Sequence, residues 1–387
     1  MAHLINAADR AAFKRCRRQW DFSASGRRGL HPVQAATFDL DRAVRDALAV
    51  YYFPGMWDWD SAIVLPLVVQ ALDDSLTRQR ATAAGQASPS NDDDASWRVL
   101  TERGHLLLDR YFAWAPTVDR FSPVRVETDF DAIVPDPADP DYGLLAPDGE
   151  EFRYAGRIDL LAIDEHDRYW VVRHVVTEDR LPPTEQLLLD EESAATCWAW
   201  GRFYDGMDVA GTIYNELAST ASGAAIGPAP TPLADHPRGG IPQNEASGGG
   251  RSVSSLRRMY VKGRSDETTE RVRQSEGDGF RRTVIRRGPA EVRAAGIRLA
   301  QEAFDMIGAD VRTYPSPAPE HCSSCAYVTP CLAIDEGADV ESILAASYRQ
   351  RPAAEIEMGR LGGTPYGVGR GWVLGSKGKE TPPSAAD

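Results

Sequence analysis

The chain has 387 residues, of which 42% are hydrophobic and 26% are charged, and its formal net charge is −14. These proportions are typical of a globular protein with a sizeable core, and no apolar run approaches the roughly 20 residues that a membrane helix requires. The negative charge argues against a protein that coats nucleic acid non-specifically, because neutralising phosphates requires clustered Lys and Arg. The first residues carry no signal-peptide pattern, so we expect a cytoplasmic location, reduced thiols and no membrane partner.

The first third of the chain is predicted to be helical. One helix is expected from Asn6 to Phe22, with Cys16 inside it. From Leu40 the apolar residues recur at i, i+3, i+4, i+7 and i+8, which places them on one face of a second helix. Two further helices are predicted at Ser61–Ala83 and Ser96–Trp114, with a polar loop between them at Ala84–Ala95.

The middle of the chain changes to short extended runs after Pro116. Runs rich in β-branched and apolar residues predict strands, and the longer apolar run after Pro182-Pro183 predicts a helix. The predicted order is strand, strand, strand, helix and strand, at Val124–Val134, Phe152–Ile163, Arg168–Val176, Thr184–Tyr204 and Val209–Leu217. A further strand at Gly279–Arg287 and a helix at Pro289–Ile307 are expected before the cysteine-rich segment.

These elements predict one α/β domain, built on a mixed sheet of about four to five strands flanked by helices. Segments rich in Gly, Ala, Pro and Ser bury little and predict a flexible insertion and a disordered tail. The domain is expected to span residues 1–350, with a helical part (1–115), the core sheet and its helix (118–219), the flexible insertion (220–254) and a C-terminal lobe (255–350). The disordered tail is expected at 351–387.

Two segments are basic against the acidic background, Lys14–Arg28 and Arg251–Arg298. Clustered guanidinium groups are suited to contact phosphates, so both segments are candidates for a DNA-facing surface. Solvated arginines without a binding role are the alternative reading of the same pattern.

The five cysteines include a group with metal-ligand spacing near the C-terminus. Cys322, Cys325 and Cys331 follow the pattern C-x2-C-x5-C, which can supply three thiolates to one metal site. For a fourth ligand Cys16 is the better candidate, because the arginines beside it favour a thiolate. Cys197 lies in an apolar predicted helix, where a buried structural cysteine is expected. An iron–sulfur cluster, a zinc site that uses His321, and unliganded thiols all remain open from the spacing.

The whole cysteine pattern resembles the iron–sulfur branch of the PD-(D/E)XK nuclease superfamily. That branch includes RecB-like nucleases, the AddB subunit of bacterial helicase-nucleases, and CRISPR-associated and phage exonucleases. Phe13–Trp20 resembles its opening motif, Gly156–Leu160 its strand with a metal-binding Asp, and Tyr169–Val175 the strand that follows. The resemblance covers most of the chain. It implies a restriction-endonuclease-like fold and a 4Fe-4S cluster bound by Cys16, Cys322, Cys325 and Cys331.

The resemblance also implies a site for Mg2+ or Mn2+, at which this sequence departs from the family. Nucleases of this kind need carboxylates to hold the metal and a lysine to orient the attacking water. Asp159 matches the first carboxylate and is the candidate metal ligand. At four other family positions the sequence is degenerate, with Arg45 for a histidine, Arg173 for the second carboxylate, Val175 for the lysine and Thr196 for a tyrosine.

Two other acidic residues, Glu127 and Glu192, are candidates for a residual carboxylate site. No lysine lies between residues 15 and 261, so a relocated catalytic lysine would have to be Lys262. We expect Arg45 and Arg173 to form salt bridges with the carboxylates where the metal would lie.

The resemblance therefore implies a nuclease-fold protein that has lost its phosphodiesterase activity and keeps a structural cluster. Such a protein would bind DNA or scaffold a helicase or nuclease partner in recombination, repair or defence. The alternatives are an active metal-dependent DNA exonuclease with a rearranged site, using Asp159, Glu127 or Glu192, and a redox or iron sensor in which the cluster is the functional element.

Overall fold

A mixed β-sheet of seven strands lies at the centre of the described part of the chain. The structure is a computed structural model that describes residues 3–33, 38–86, 91–139, 142–178, 180–204, 207–219, 271–308 and 311–350. Helices cover both faces of the sheet, so the predicted α/β class with a mixed, helix-flanked sheet is confirmed. The sheet has more strands than the four to five that were predicted, because His3–Ile5 and Val272–Gly277 also pair into it.

The strands fall into the large sheet and one small two-stranded sheet. The large sheet has the order β1-β4-β5-β6-β8-β7, with β3 paired to β4, and β2 pairs with β9. β4 and β5 are antiparallel, whereas β5 and β6 are parallel. The nine described strands are His3–Ile5 (β1), Leu30–Pro32 (β2), Phe121–Ile133 (β3), Phe152–Asp164 (β4), Tyr169–Thr177 (β5), Val209–Ala218 (β6), Val272–Gly277 (β7), Phe280–Arg286 (β8) and Tyr348–Gln350 (β9).

The helices follow the predicted order along the chain. Within the described ranges they are Ala7–Arg15 (α1), Arg17–Ser23 (α2), Leu40–Tyr51 (α3), Ser61–Gln86 (α4), Asn91–Val118 (α5), Thr184–Leu188 (α6), Glu191–Phe203 (α7), Pro289–Ile307 (α8), Pro319–Cys322 (α9), Val328–Asp335 (α10) and Val340–Ser347 (α11). No helix among the described residues is long and apolar enough to span a membrane.

The sheet separates two hydrophobic layers. Successive residues of a strand point to opposite faces, and Leu160 and Leu161 of β4 accordingly belong to different clusters. The first layer packs β4 and β5 against α1, α7 and α8, around Trp200. The second layer packs the other face against α3, α4 and α5, around Leu48 and Leu108. The strands that carry the candidate carboxylates therefore lie between two packed helical layers.

Three predicted boundaries were wrong. The predicted helix Asn6–Phe22 is broken at Cys16, and Thr184–Tyr204 is broken before Asp190, whose carboxylate caps α7 by accepting from the backbone N–H groups of Glu192 and Ser193. The predicted loop Ala84–Ala95 is helical at both ends, where α4 and α5 extend into it. Helix propensity continues through charged residues, so composition alone did not reveal where these helices end.

The edge hairpin of β7 and β8 includes a strand that the sequence did not reveal. β7 is polar and lacks the apolar alternation of a half-buried strand, yet it pairs with β8 over its whole length. The predicted insertion 220–254, Lys262 and the predicted tail 351–387 lie outside the described residues.

Gly211 offers a direct test of the strand packing at the start of β6. Its φ is +149°, and an added Cβ would lie 2.1 Å from the carbonyl oxygen of Ile285 in β8. We expect Gly211→Ala to lower the free energy of unfolding by about 2 kcal/mol or more, since backbone atoms on two strands would have to separate. Urea unfolding measures the change. Gly26→Ala, which meets nothing within 4 Å, is the control, and an equal loss in both variants would contradict this packing.

Candidate functional site

The four cysteines predicted as ligands line one pocket between the two ends of the chain. Its cavity volume is about 130 Å3, several times the roughly 30 Å3 that a water molecule occupies in the liquid. Cys16 comes from the junction of α1 and α2, and Cys322, Cys325 and Cys331 come from the C-terminal lobe. Cys197 lies elsewhere, buried in α7 beside the hydroxyl of Thr212, as expected for a structural cysteine.

Local backbone geometry brings the four sulfur-bearing residues to this pocket. Cys16 has an extended conformation (φ −160°, ψ 113°) that interrupts the helix. Cys322 ends the short helix α9, and its carbonyl accepts a hydrogen bond from the N–H of Cys325 in a tight turn. Cys331 lies within α10. The C-x2-C turn and the following helix thus supply three of the cysteines that line the pocket, and the break between α1 and α2 supplies Cys16.

The thiols influence one another. Burial raises the pKa of the Cys325 thiol, and the nearby charges of Cys16, Cys322 and Cys331 raise it further. In the described residues no three His, Cys, Asp or Glu side chains already have the arrangement of ligands around a single metal ion. The donor set nevertheless fits a four-thiolate cluster, because all four thiols line one cavity that is much larger than a single ion needs.

Hydrogen-bond donors point at two of these sulfur atoms. The backbone N–H of Tyr327 donates to Sγ of Cys325 (3.4 Å), and the Arg18 guanidinium lies 3.4 Å from Sγ of Cys331. Donors of this kind stabilise thiolate ligands and orient them. His321, the ligand of the zinc alternative, also lines the pocket and is exposed.

An aromatic cluster holds the two ends of the chain together beside the pocket. Phe22 stacks on Tyr327, and Tyr327 stacks on Tyr348, with ring centroids 5.6 Å apart in both pairs. The hydroxyl of Tyr327 donates to the carbonyl oxygen of Leu30 (2.6 Å), and β2 pairs with β9. The pocket is therefore assembled by contacts outside the cysteines themselves.

The candidate carboxylates Asp159 and Glu127 lie on neighbouring strands. The strand pairs Val126–Leu160 and Thr128–Ile158 flank Glu127 and Asp159, and the charge of Asp159 acts on the Glu127 carboxyl group. Glu127 is buried and has φ +45°, a left-handed conformation that is uncommon for Glu. The backbone N–H of His174 donates to Oδ2 of Asp159 (2.8 Å). Asp159 and Glu127 thus lie on adjacent strands, whereas Glu192 lies on α7.

Arginines pair with the carboxylates in this region, although not in the predicted combinations. Arg45 bonds to Asp41, one helical turn away on α3, and lies close enough to Asp159 for its charge to raise the pKa of Arg45 against the effect of burial. The cation nearest Glu127 is Arg157, whose guanidinium lies 3.5 Å from the Glu127 carboxyl group and also pairs with Asp129; the sequence analysis did not single it out. Arg157 is two positions before Asp159 on the same strand, so both side chains point to the same face of the sheet. This spacing could have identified Arg157 from the sequence.

Arg173 and the remaining degenerate positions complete the region. Arg173 pairs with Asp190 (3.2 Å) and with Glu192 (2.7 Å), so its salt bridges use α7 rather than Asp159. Val175 packs beside a small apolar cluster that includes Leu187 and Tyr214. Thr196 lies on α7, half-buried, next to the hydroxyl of Tyr154.

Sequence reasoning also missed Asp46 and a buried polar network behind Asp159. Asp46, on α3, has a fully buried carboxylate that pairs with Arg78 (3.2 Å). Asn215 on β6 donates to Nδ1 of His174 (2.9 Å) and to the Tyr111 hydroxyl (2.8 Å). The network continues through three residues whose side chains are also buried or nearly so: Arg282, Tyr52 and Asp119. A fully buried arginine must be paired, so Arg282 required partners that the sequence alone did not identify.

Burial shifts the pKa values of two groups in this region in opposite directions, and the two shifts change stability with pH in opposite ways. Burial, assisted by the charge of Asp159, raises the pKa of Glu127 to about 8. Burial lowers the pKa of His174 to about 4. The stability that neutral His174 provides is complete above its unfolded pKa near 6.5 and is lost as the pH falls towards 4. For Glu127 the sign is reversed, since the folded state holds a proton that the unfolded chain releases.

The N-terminal basic segment Lys14–Arg28 is largely neutralised by acidic partners. Lys14 pairs with Glu302 (3.2 Å) and with Glu191. Arg27 and Arg28 both pair with Asp21. In the other basic segment, residues 251–270 lie outside the described ranges. The charge that sequence counting assigns to a DNA-facing surface is therefore smaller at the N-terminal segment than its arginine content indicates.

The comparisons with known proteins add no family. No protein-family profile matches this chain, and no curated protein sequence matches it significantly.

Replacing Glu127 with Gln should remove a loss of stability that the wild type shows as the pH rises from about 4.3 to about 8. The folded wild type holds the Glu127 proton up to about pH 8, whereas the unfolded chain releases it near pH 4.3, so the stability that this group provides falls as the pH rises between these values. Gln does not titrate. Relative to wild type, Glu127→Gln should gain on the order of 3 kcal/mol between pH 5 and pH 8.

Urea unfolding at a series of pH values measures this difference. Glu102→Gln changes an exposed carboxyl group on α5 and serves as the control, with the wild-type pH dependence expected. A pH dependence unchanged in Glu127→Gln would show that Glu127 is ionised in the folded protein at neutral pH.

Proposed function

We propose that this chain is a PD-(D/E)XK nuclease-fold protein of the iron–sulfur branch, which retains a 4Fe-4S cluster and has lost phosphodiesterase activity. The observation that carries the proposal is the single pocket lined by Cys16, Cys322, Cys325 and Cys331. Cysteines about 300 positions apart in the sequence meet there. In a reducing compartment such a set of thiols favours a metal centre over disulfides.

The cluster supplies a covalent connection between the first helices and the C-terminal lobe when it is bound. This chain's residues prepare that connection: Cys16 is held extended, and Tyr327 and Arg18 direct N–H groups at the sulfur atoms. A link that spans most of the chain removes much conformational entropy from the unfolded state. The proposed role of the cluster is therefore structural.

The carboxylate region supports the loss of phosphodiesterase activity. A two-metal or one-metal nuclease needs carboxylates that are available to a cation. Here burial raises the pKa of Glu127 to about 8, and the Arg157 guanidinium lies 3.5 Å from the same carboxyl group. Arg173 lies beside Asp159 on the adjacent strand and carries a charge that repels Mg2+ or Mn2+. Val175 cannot orient a water molecule as a lysine would. We infer that Asp159 is a structural remnant held by the backbone of β5.

The nuclease fold and the DNA role rest on the motif resemblance together with the observed strand order. Asp159 lies on β4, and its carboxylate accepts a hydrogen bond from the backbone N–H of His174 on β5, between the two positions that correspond to the family's second motif. On this basis the protein would bind DNA ends or scaffold a helicase or nuclease partner, in recombination, repair or defence. The juxtaposition of Glu127 and Asp159 supports the second candidate, an active metal-dependent exonuclease with a rearranged site.

Cysteine substitutions test the cluster proposal. Anaerobically purified wild type should contain about four irons with matching sulfide, as a cubane held by four cysteines requires. Cys16→Ala should lose more than half of both, since it removes one ligand. Cys197→Ala, which removes a buried cysteine of α7, should retain the wild-type content. Metal and sulfide analysis measures both, and iron unaffected by Cys16→Ala would contradict a cluster that joins the two ends.

Nuclease assays on single- and double-stranded DNA ends test the loss of activity. With Mg2+ or Mn2+ present, cleavage by wild type should match that of Asp159→Ala within twofold, because Asp159 holds no catalytic metal. Asp305→Ala, an exposed change on α8, controls for the preparation. Metal-dependent cleavage that Asp159→Ala abolishes and Asp305→Ala preserves would establish the exonuclease alternative. Binding of the same DNA, measured by fluorescence anisotropy, should persist in all three proteins.

A further inference from the structure

Arg18 contacts the cysteine pocket in a way that a structural ion pair would not require. Its side chain is 12% exposed and lines the pocket. The same nitrogen, Nη1, donates to the carbonyl oxygen of Cys331 (3.1 Å), lies 3.4 Å from the sulfur of Cys331, and is 2.8 Å from Oδ1 of Asp335. One guanidinium group from the N-terminal segment therefore contacts both the backbone carbonyl and the sulfur of a proposed ligand.

The contact has a consequence for any redox couple at these thiolates. Reduction adds one electron and makes a thiolate-bound cluster more negative. A positively charged donor close to a ligand sulfur stabilises the reduced form more than the oxidised form, and hydrogen bonds to sulfur are among the factors that set cluster potentials. The half-buried position of Cys331 limits screening by solvent.

Asp335 works against this effect. Its carboxylate is 55% exposed and pairs with the guanidinium group, so it offsets part of the positive charge that the sulfur experiences. Arg18 and Asp335 thus form a charge pair whose two members have opposite influence on the same ligand. Arg15 is one position before Cys16 and is exposed, and Glu336 is next to Asp335 and is exposed. The chain consequently offers a matched control for each member.

We propose that Arg18 is a positioning residue that raises the reduction potential of the cluster through its contact with Cys331, and that Asp335 moderates it. This inference rests on the proposed function, because it requires the four-cysteine cluster. It extends that function by giving the cluster a potential that is set by a contact between the two ends of the chain. If the contact between Arg18 and Cys331 changes, the reduction potential of the cluster changes with it.

Reduction potentials of the full-length variants test the inference, measured by titration of anaerobic protein with dithionite and followed by electron paramagnetic resonance. Arg18→Gln should lower the equilibrium constant for one-electron reduction about tenfold, which is about 59 mV. Arg18→Lys keeps the charge and should recover part of this shift. Arg15→Gln removes the same charge without the contact to sulfur and should change the constant less than twofold.

Substitution of the acidic partner, Asp335, should shift the reduction potential in the opposite direction. Asp335→Asn should raise the equilibrium constant for reduction, because the guanidinium charge is no longer offset, and Glu336→Gln should change it less than Asp335→Asn does. If Arg18→Gln fails to assemble the cluster, this comparison alone decides, since Asp335 is exposed and its change keeps Arg18 in place.

The outcomes separate this inference from the function on which it depends. Equal shifts in Arg18→Gln and Arg15→Gln, or in Asp335→Asn and Glu336→Gln, in proteins with full iron content would overturn the role of Arg18 and leave the cluster intact. Wild-type protein without iron and sulfide would overturn the proposed cluster, and the inference with it.

Discussion

The docking of the first two helices against the C-terminal lobe is the contact on which the proposed function depends. In the proposed cluster, three thiols of the lobe would supply three ligands, and Cys16 could supply the fourth only because the two ends of the chain meet at this pocket. Stacked aromatic rings, the pairing of β2 with β9 and the side chain of Arg18 all join the same two segments. The cluster would therefore close a contact that the protein has already formed, rather than create it.

The break in the helix at Cys16 explains why sequence reasoning located this residue but not its geometry. Arg15 and Arg17 are good helix formers, so a continuous helix from Asn6 was the local expectation. The backbone N–H of Arg18 instead donates to the carbonyl oxygen of Tyr314, far along the chain (3.2 Å). A tertiary hydrogen bond thus competes with the helical one, and no local pattern could reveal it. By contrast, α3 and α8 begin and end as predicted or nearly so, because periodicity and a proline at the first turn are local signals.

The carboxylate region shows a second limit of sequence reasoning. The absence of a lysine from strands β3 to β6 could be read from the sequence, because the chain has none between residues 15 and 261. Salt bridges were expected between the two arginines and the carboxylates Asp159 and Glu127, whereas Arg45 pairs with Asp41 and Arg173 pairs with Asp190 and Glu192. The partners could not be predicted, because they depend on strand register and on where α7 begins. The buried network around Arg282 of β8 joins Tyr111 of α5, Asn215 of β6, and the residues that directly follow α3 and α5, Tyr52 and Asp119; only the folded arrangement brings these together.

The identity of the metal centre is the central claim, and X-ray absorption at the iron and zinc edges of anaerobically purified full-length protein tests it most directly. The proposed cluster predicts that sulfur atoms alone bind each iron, because its ligands are bridging sulfides and one cysteine thiolate. It also predicts other iron atoms just beyond this sulfur shell. Zinc with three sulfur ligands and one nitrogen, the arrangement that His321 would provide, would contradict it. A protein with neither metal would leave the pocket as a cluster of free thiols, and the nuclease resemblance would then depend on Asp159 and its strand alone.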